Sequence, residues 1–152
     1  MIRISKESLY KIDRHGEKTY PEECCGIMLG SNDGKNQVVE DVVGLENEQG
    51  ENRQRRFFVT PEQYIKAEKI AAERNLDLIG FYHSHPDHPA RPSEFDREHA
   101  LPWFVYVIVS VMEQKAKNIT AWTLNDSRRF EPVDLKIEET TNIDVSKENI
   151  SL

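Results

Sequence analysis

The sequence predicts a single mixed α/β domain in which a mixed β-sheet is flanked by helices. Three observations support this fold class. Apolar runs separated by turn-forming residues recur along the chain, helix-capping residues mark helices between them, and 152 residues suffice for one hydrophobic core. A hydrophobic content of 38% and a charged content of 31% are typical of a globular domain.

The first half of the chain contains one helix, then two strands, then a third apolar run, RRFFVT, at residues 55–60. Ser5 can cap a helix that has Gly16 near its end. The run CCGIMLG then predicts a buried strand that Gly30 stops, and residues 37–45, QVVEDVVGL, predict a second strand.

The second half begins at a strong helix start, where Thr60 is the N-cap, Pro61 takes the first helical position and Gln63 completes a capping box. The run LDLIGFYHSH, nearly continuous in apolar residues, predicts a strand buried on both faces. A short helix and the strands WFVYVIVSVM and NITAWTLN follow, and residues 133–137, VDLKI, alternate as a half-buried edge strand does.

Composition and charge exclude several classes of protein. No segment approaches the roughly 20 apolar residues that span a bilayer, and the N-terminus lacks the apolar stretch of a signal peptide. The net charge of −7 argues against nucleic-acid phosphates as the main partner. The only cysteines, Cys24 and Cys25, are adjacent, which favours two reduced, buried thiols over a disulfide. We therefore predict a cytoplasmic protein that binds neither membranes nor nucleic acid.

Residues 82–96, YHSHPDHPARPSEFD, contain three of the five histidines in the chain. Because side chains two apart on a strand share a face, His83 and His85 can converge on one ion. Ser93 marks a helix start, and Asp96 follows three residues later, where it can face the two histidines. Two imidazoles and one carboxylate leave a fourth tetrahedral position open, which is the pattern of a catalytic zinc site.

A purely structural interpretation of the same residues also exists. Ser93 and Asp96 form a capping box in any helix that starts there, with or without a metal. His88 and His99 are alternative ligands, although His88 lies in the proline-rich turn and His99 lies one helical turn beyond Asp96.

A hydrolytic metal site also needs a general base and a donor for the developing oxyanion. Ser93 is a candidate donor. Glu22 and Glu23 directly precede a buried strand, and because neighbours on a strand point to opposite faces, only one of them can face a cleft. Periodicity does not select between these two glutamates.

Taken together, the residues resemble the zinc isopeptidases of the JAMM (MPN-type) family. The resemblance rests on Glu23-Cys24-Cys25-Gly26, on His83-Ser84-His85-Pro86, and on the S-x-x-D spacing of Ser93 and Asp96. The combined motif is specific, whereas a single H-x-H would not be, and no position of the motif is missing.

The resemblance implies a cytidine-deaminase-like MPN fold and one zinc ion per chain, held by His83, His85 and Asp96. It also implies that Glu23 is the catalytic glutamate and that Ser93 stabilises the tetrahedral intermediate. Because the motif is complete, the chain differs from the catalytically silent members of the fold.

The family hydrolyses amide or isopeptide bonds after the C-terminal glycines of ubiquitin-like proteins. The small size resembles the prokaryotic branch, whose members act on ubiquitin-like sulfur carrier proteins by releasing cysteine or trimming residues after the Gly-Gly end. The resemblance covers about residues 1–137, which we expect to form the metallopeptidase domain, with a polar and partly disordered tail over residues 138–152. The loop Asn47–Arg56 either docks the carrier tail or is a plain surface loop. Two alternatives stay open, namely an isopeptidase for another ubiquitin-like modifier and a non-catalytic MPN scaffold.

Overall fold

The computed structural model describes residues 1–32, 34–46 and 59–139, and it has three helices in the first two thirds of the chain and four consecutive strands at the end of the described residues. Within them, eight strands join one sheet: β1 (Ile2–Ser5), β2 (Cys25–Asn32), β3 (Gln37–Leu45), β4 (Asp77–Pro86), β5 (Val105–Met112), β6 (Lys115–Leu124), β7 (Phe130–Val133) and β8 (Leu135–Glu138). The same residues form three helices: α1 (Lys6–Thr19), α2 (Pro61–Glu73) and α3 (Glu94–His99). This architecture confirms the predicted mixed α/β domain.

The sheet is mixed, with the strand order β7-β6-β5-β4-β2-β3-β1-β8. β4 pairs in parallel with β5, and β1 pairs in parallel with both β3 and β8, whereas the other neighbours are antiparallel. β4 lies between β2 and β5, and its residues 79–86 are all buried, as the continuous apolar run predicts. The strand that carries the two histidines is therefore a central strand of the sheet.

The two edge strands of the sheet are neighbours in sequence. Only Asp134 separates β7 from β8, yet these strands lie at opposite ends of the strand order. The Asp134 carbonyl also accepts a hydrogen bond from the Ile2 N–H at 2.8 Å. The sheet must therefore curve until its two edges meet at this residue.

Each face of the sheet has its own apolar core. One core contains Ile12 of α1 together with side chains from the central strands, and α1 contacts six of the eight strands, as expected if the curved sheet wraps around it. The other core contains Ala67 and Ala71 of α2, packed against Phe81 and its neighbours. Because Cys24 belongs to the first core and Cys25 to the second, both thiols are buried on opposite faces, as predicted.

Gly16 does not end the first helix, which continues to Thr19. A Cβ atom at Gly16 would lie 2.9 Å from Val111 Cγ2, so the glycine allows α1 to approach β5 closely. Gly30 likewise lies inside β2, which runs on to Asn32, and the strand pairing shifts register between Leu29 and Gly30.

The prediction of one strand over residues 133–137 is wrong. This range contains the end of β7, which pairs with β6, and most of β8, which pairs with β1. The N-terminal strand β1 was not predicted, since four residues are too few for a periodic pattern to emerge. The capping box at Thr60 and Gln63 is confirmed in both directions, with the Thr60 Oγ1 accepting from the Gln63 N–H and the Gln63 Oε1 accepting from the Thr60 N–H.

Two predictions concern residues outside the described ranges: the role of the loop Asn47–Arg56 and the disorder of the tail from residue 140 onward. The domain boundary after residue 137 stays a prediction, and β8 extends through Glu138. In the described part of the chain, no helix has both the length and the apolar character that crossing a bilayer requires.

Candidate metal centre

The end of β4 presents His83 and His85 on the same side of the sheet. These residues pair with Ile108 and Ser110 of β5, and His83 also pairs with Cys25 of β2, so both backbones are fixed by neighbouring strands. The histidine side chains are almost fully buried. Strand pairing therefore sets the position of both imidazoles before any ligand binds.

The first turn of α3 brings Asp96 to the two histidines. Ser93 is the N-cap, and its Oγ accepts a hydrogen bond from the Asp96 N–H at 3.0 Å. The Asp96 Oδ2 accepts the reciprocal bond from the Ser93 N–H at 2.8 Å, which completes a capping box. The same Oδ2 atom faces the histidines, so the bond that caps the helix leaves this oxygen within reach of both imidazoles.

Three potential ligand atoms form an equilateral triangle. The His83 Nε2, the His85 Nε2 and the Asp96 Oδ2 lie 3.2 Å from one another along all three edges. Two ligands held about 2.05 Å from a tetrahedral zinc ion lie about 3.3 Å apart, so these atoms fit three corners of such a site. His83, His85 and Asp96 form the one group of candidate metal ligands found in the described residues.

The tautomer of His85 supports a cation in the triangle. The His85 Nδ1 lies 3.0 Å from the Pro89 carbonyl oxygen, which can only accept, so Nδ1 carries a proton. In the neutral ring, the Nε2 lone pair then points towards the Asp96 carboxylate, and these two acceptors repel each other unless a cation or a proton lies between them. The residues present therefore fit a divalent metal ion.

The charges in this cluster shift each other's proton affinity. Burial alone would raise the pKa of the Asp96 carboxyl, but the charges and hydrogen bonds of His83 and His85 hold this pKa well below its usual range. Burial alone would lower the pKa of His85, but the hydrogen bond and charge of Asp96 raise it above its ordinary value. Asp96 is therefore a carboxylate at neutral pH, the form that binds a metal.

Glu23 lies at the entry to β2 and is only 3% exposed. Burial, reinforced by the nearby Asp96 charge and opposed by His85, raises the pKa of Glu23 to about 8. Glu22 is only half-buried, and Glu23, not Glu22, lines the cavity beside His85. Strand periodicity leaves open which of the two glutamates faces a cavity, and in the structure it is Glu23.

Ser84, the residue between the two histidines, holds the Glu23 segment against β4. Its Oγ accepts a hydrogen bond from the Cys24 N–H at 2.8 Å, and its own N–H donates to the Cys24 carbonyl at 3.1 Å. No sequence pattern assigned a role to Ser84, although a small polar residue inside an otherwise apolar strand indicates a structural or functional role. Burial raises the pKa of the Cys24 thiol to about 12, so this thiol is no candidate nucleophile.

A steric constraint explains why the E-C-C-G segment has a glycine at its last position. Gly26 pairs with Tyr82 across β2 and β4, and a Cβ atom at Gly26 would lie 2.2 Å from the Tyr82 ring. The buried ring is fixed in turn by a contact of 2.7 Å between its hydroxyl and the Nδ1 of His15. Gly26 thus allows Tyr82 to pack directly beside the histidine segment.

Side chains of β5 and β6 hydrogen-bond to the turn after β4, and no sequence pattern identified them. The Ser110 Oγ donates to the His88 carbonyl at 2.5 Å, and the Thr120 Oγ1 donates to the Ala90 carbonyl at 2.6 Å. Trp122 supports this anchor through an indole N–H that donates to the Thr120 Oγ1 at 2.8 Å. The first two contacts join β5 and β6 to a turn 22 and 30 residues earlier in the chain, so no local pattern predicts them.

Two cavities meet at the candidate metal centre. An apolar cavity of about 430 Å³ includes His83 and Asp96 in its wall, together with side chains of α2 such as Tyr64 and Ile65. A second, more polar cavity of about 380 Å³ is lined by Glu23, His85, His88, Pro89, Arg91 and Ser93. A substrate chain can therefore enter on one side of the ligand triangle and leave on the other.

The rival ligands His88 and His99 do not join the triangle. Both side chains are exposed, and His99 Nδ1 lies 2.9 Å from the Phe95 carbonyl within its own helix. His88 lines the polar cavity, whereas His99 lines the apolar one.

The chain is similar to proteins of one family. The family model described as prokaryotic homologs of the JAB domain matches residues 5–125. The chain is 30% identical to a desampylase of Pyrococcus furiosus over 116 residues, which are 76% of each protein. It is also 34% identical to a desampylase of Haloferax volcanii over 91 residues, which are 59% of this chain and 63% of that relative, so the match spans less than two thirds of that relative.

Solved structures share the fold. A protein from Desulfitobacterium hafniense superposes with a TM-score of 0.81 at 28% identity, covering 91% of this chain and 94% of that one. A JAB1/MPN domain protein from Archaeoglobus fulgidus superposes with a TM-score of 0.60 at 20% identity, covering 91% and 98% of the two chains. Because the prokaryotic JAB model matches most of the sequence, the chain belongs to the compact prokaryotic branch of the JAMM (MPN-type) family.

Proposed function

We propose that the chain is a zinc-dependent hydrolase that cleaves the amide or isopeptide bond after the C-terminal Gly-Gly of a ubiquitin-like protein. The observation that carries this proposal is the juxtaposition of the ligand triangle with Glu23, a carboxyl group whose burial raises its pKa to about 8. His83, His85 and Asp96 would hold one zinc ion per chain. Zinc bound there supplies a Lewis acid that polarises the scissile carbonyl and activates water for attack.

Glu23 is the proposed general base and general acid. Its carboxylate accepts a proton from the attacking water and then returns this proton to the leaving amine. Burial raises the pKa of Glu23 to about 8 in the metal-free chain, and a carboxylate with a raised pKa is a stronger proton acceptor than an exposed one.

Ser93 is the proposed oxyanion donor. Its Oγ accepts from the Asp96 N–H, which uses a lone pair and leaves the hydroxyl proton available to the carbonyl oxygen of the substrate. Because the same hydrogen bond caps α3, the hydroxyl has a fixed position beside the polar cavity.

The apolar cavity is the proposed site for the part of the substrate that precedes the cleaved bond. Glycine has no side chain, so a Gly-Gly end can lie extended between the walls of a narrow passage. The apolar residues of a ubiquitin-like tail can then contact Tyr64 and Ile65, and Ile65 is 67% exposed in the free protein.

For the substrate we propose a ubiquitin-like sulfur carrier protein. Two relatives carry the name desampylase, which supports a ubiquitin-like substrate. We propose a cytoplasmic location, which accords with two buried cysteines that are not joined in a disulfide.

A non-catalytic scaffold is the alternative of a different class. Burying a carboxyl group destabilises a fold, and a scaffold would gain nothing from a buried Glu23. This burial therefore favours an enzyme. Hydrolysis of a different ubiquitin-like modifier is the alternative within the same class.

The proposal is tested by incubating the zinc-loaded protein with a carrier from the same genome that is extended by one residue beyond its Gly-Gly end. Intact-mass spectrometry follows the carrier, with Glu23→Gln as the matched control. We expect loss of the added residue with the wild type alone. Equal processing by Glu23→Gln would refute the assigned base, and no cleavage of any Gly-Gly conjugate would refute the proposed activity.

A further inference from the structure

Arg91 lies at the rim of the polar cavity. The residue is exposed and lines the cavity together with Glu23, His85 and Ser93. Within residues 1–32, 34–46 and 59–139, no carboxylate lies within 4.0 Å of its guanidinium. An arginine that stabilised the fold through an ion pair would have such a partner, so its charge is available to a ligand.

The backbone that carries Arg91 is held in place. Its N–H donates to the Pro89 carbonyl at 2.8 Å, and the carbonyl of the preceding Ala90 accepts the Thr120 hydroxyl at 2.6 Å. Two residues later Ser93 begins α3. Because the turn is fixed on both sides, the guanidinium extends from a defined point on the rim of the cavity.

The position of Glu23 defines the side on which the leaving group departs. The base that takes the proton from water must hand it to the leaving amine, so this amine has to be within reach of the Glu23 carboxyl. Glu23 lines the polar cavity, whereas the wall of the apolar cavity does not include it. The leaving group therefore occupies the polar cavity, beside Arg91.

We infer that Arg91 binds the α-carboxylate of the leaving amino acid, so that the chain acts on ubiquitin-like tails that end one residue after Gly-Gly. This inference rests on the proposed hydrolysis after Gly-Gly. A guanidinium binds a carboxylate through two parallel hydrogen bonds, and the α-carboxylate of a terminal residue lies only two bonds from the amine that Glu23 protonates. His88 lines the same cavity and adds a second nitrogen donor.

This arrangement distinguishes two kinds of substrate. A single leaving amino acid carries its carboxylate next to the cleaved bond, whereas an isopeptide-linked lysine presents a side chain in the same place. An arginine beside the leaving group favours the first kind, because its guanidinium can bind that carboxylate.

The test compares two forms of one carrier protein, ligated to end in Gly-Gly-Ala either as the free acid or as the carboxamide. We expect zinc-loaded wild type to prefer the acid in kcat/KM by roughly ten- to a hundredfold, the range of a charge-assisted hydrogen-bonded pair. Arg91→Gln should bring this ratio close to one, and Arg91→Lys should give an intermediate value, since lysine keeps the charge but loses the planar fork.

Binding gives a readout that does not depend on turnover. In the Glu23→Gln background, the Kd for the acid form should be lower than that for the amide, and adding Arg91→Gln should remove the difference. Arg14→Gln, an exposed arginine on α1, is the matched control and should keep the wild-type preference.

Two results would overturn the inference. One is equal cleavage of acid and amide by the wild type, and the other is a preference for the acid that persists in Arg91→Gln. Either would show that Arg91 does not bind the carboxylate. The proposed hydrolysis stands independently if the amide or an isopeptide-linked carrier is cleaved after Gly-Gly in a Glu23-dependent manner. If no Gly-Gly substrate is cleaved, the proposed function fails, and the inference fails with it.

Discussion

Glu23 combines burial with a carboxyl group, and this combination has a measurable consequence for stability. Burial raises its pKa from 4.5 to about 8, so the folded metal-free chain binds this proton more tightly than the unfolded chain does. The resulting stabilisation is fully present below about pH 4.5 and is lost as the pH rises through about 8.

We therefore predict that Glu23→Gln raises the melting temperature of the metal-free protein at about pH 9 and that the gain shrinks towards about pH 5. A glutamine side chain stays neutral and escapes the cost of burying a negative charge. Thermal unfolding across this pH range measures the difference, with the half-buried neighbour Glu22→Gln as control. A gain that is independent of pH would contradict a buried carboxyl with a raised pKa.

Sequence patterns predicted which residues lie at the candidate site better than they predicted the contacts between those residues. The spacing of His83 and His85 and the capping pattern of Ser93 and Asp96 are local, so strand and helix periodicity place them correctly. The sequence could not show that one oxygen of Asp96 serves both the cap and the ligand triangle, because that depends on how α3 docks.

Helix α3 is short, and a side chain from a distant turn secures it. The Arg128 guanidinium donates to the carbonyls of Arg97, Glu98 and Ala100 at 2.7, 3.3 and 3.3 Å. Arg97 returns a hydrogen bond to the Arg128 carbonyl at 3.3 Å. A cation at the C-terminal end of a helix also interacts favourably with the helix dipole. These contacts fix the helix that carries Asp96.

We predict that Arg128→Ala weakens zinc binding about tenfold, since loss of a residue that orients a metal ligand typically costs ten- to a hundredfold in affinity. Competition against a chromophoric chelator measures the Kd. The neighbour Arg129→Ala should leave the affinity at the wild-type value, because its side chain makes no hydrogen bond or ion pair in the described structure. A loss of thermal stability in metal-free Arg128→Ala with unchanged affinity would assign Arg128 a structural role alone.

Elements with clear end signals were predicted well, whereas elements defined by distant partners were not. The helix start at Thr60 and the buried strand β4 followed from local residues. The split at Asp134 did not, because β7 pairs with β6, 6 to 12 residues earlier in the chain, whereas β8 pairs with β1, 133 residues earlier.

For the molecule as a whole, the curved sheet explains why the site lies where it does. β4 is central, so its end meets the N-terminus of β2, the turn after residue 86 and the start of α3. Each of these contributes one component: the proposed ligands come from β4 and α3, the proposed base from the approach to β2, and Arg91 from the turn. The cavities on either side of the triangle then give a substrate chain two separate directions.

The proposed function requires that His83, His85 and Asp96 hold one zinc ion on which hydrolysis depends, with Glu23 as the base. It is tested most directly by titrating zinc into metal-free protein while following both metal content and cleavage of a Gly-Gly-extended carrier. We predict that activity rises linearly and levels off at one equivalent of zinc, and that Glu23→Gln binds the same equivalent without cleaving. Cleavage by the metal-free chain, or activity that is indifferent to Glu23→Gln, would contradict the account.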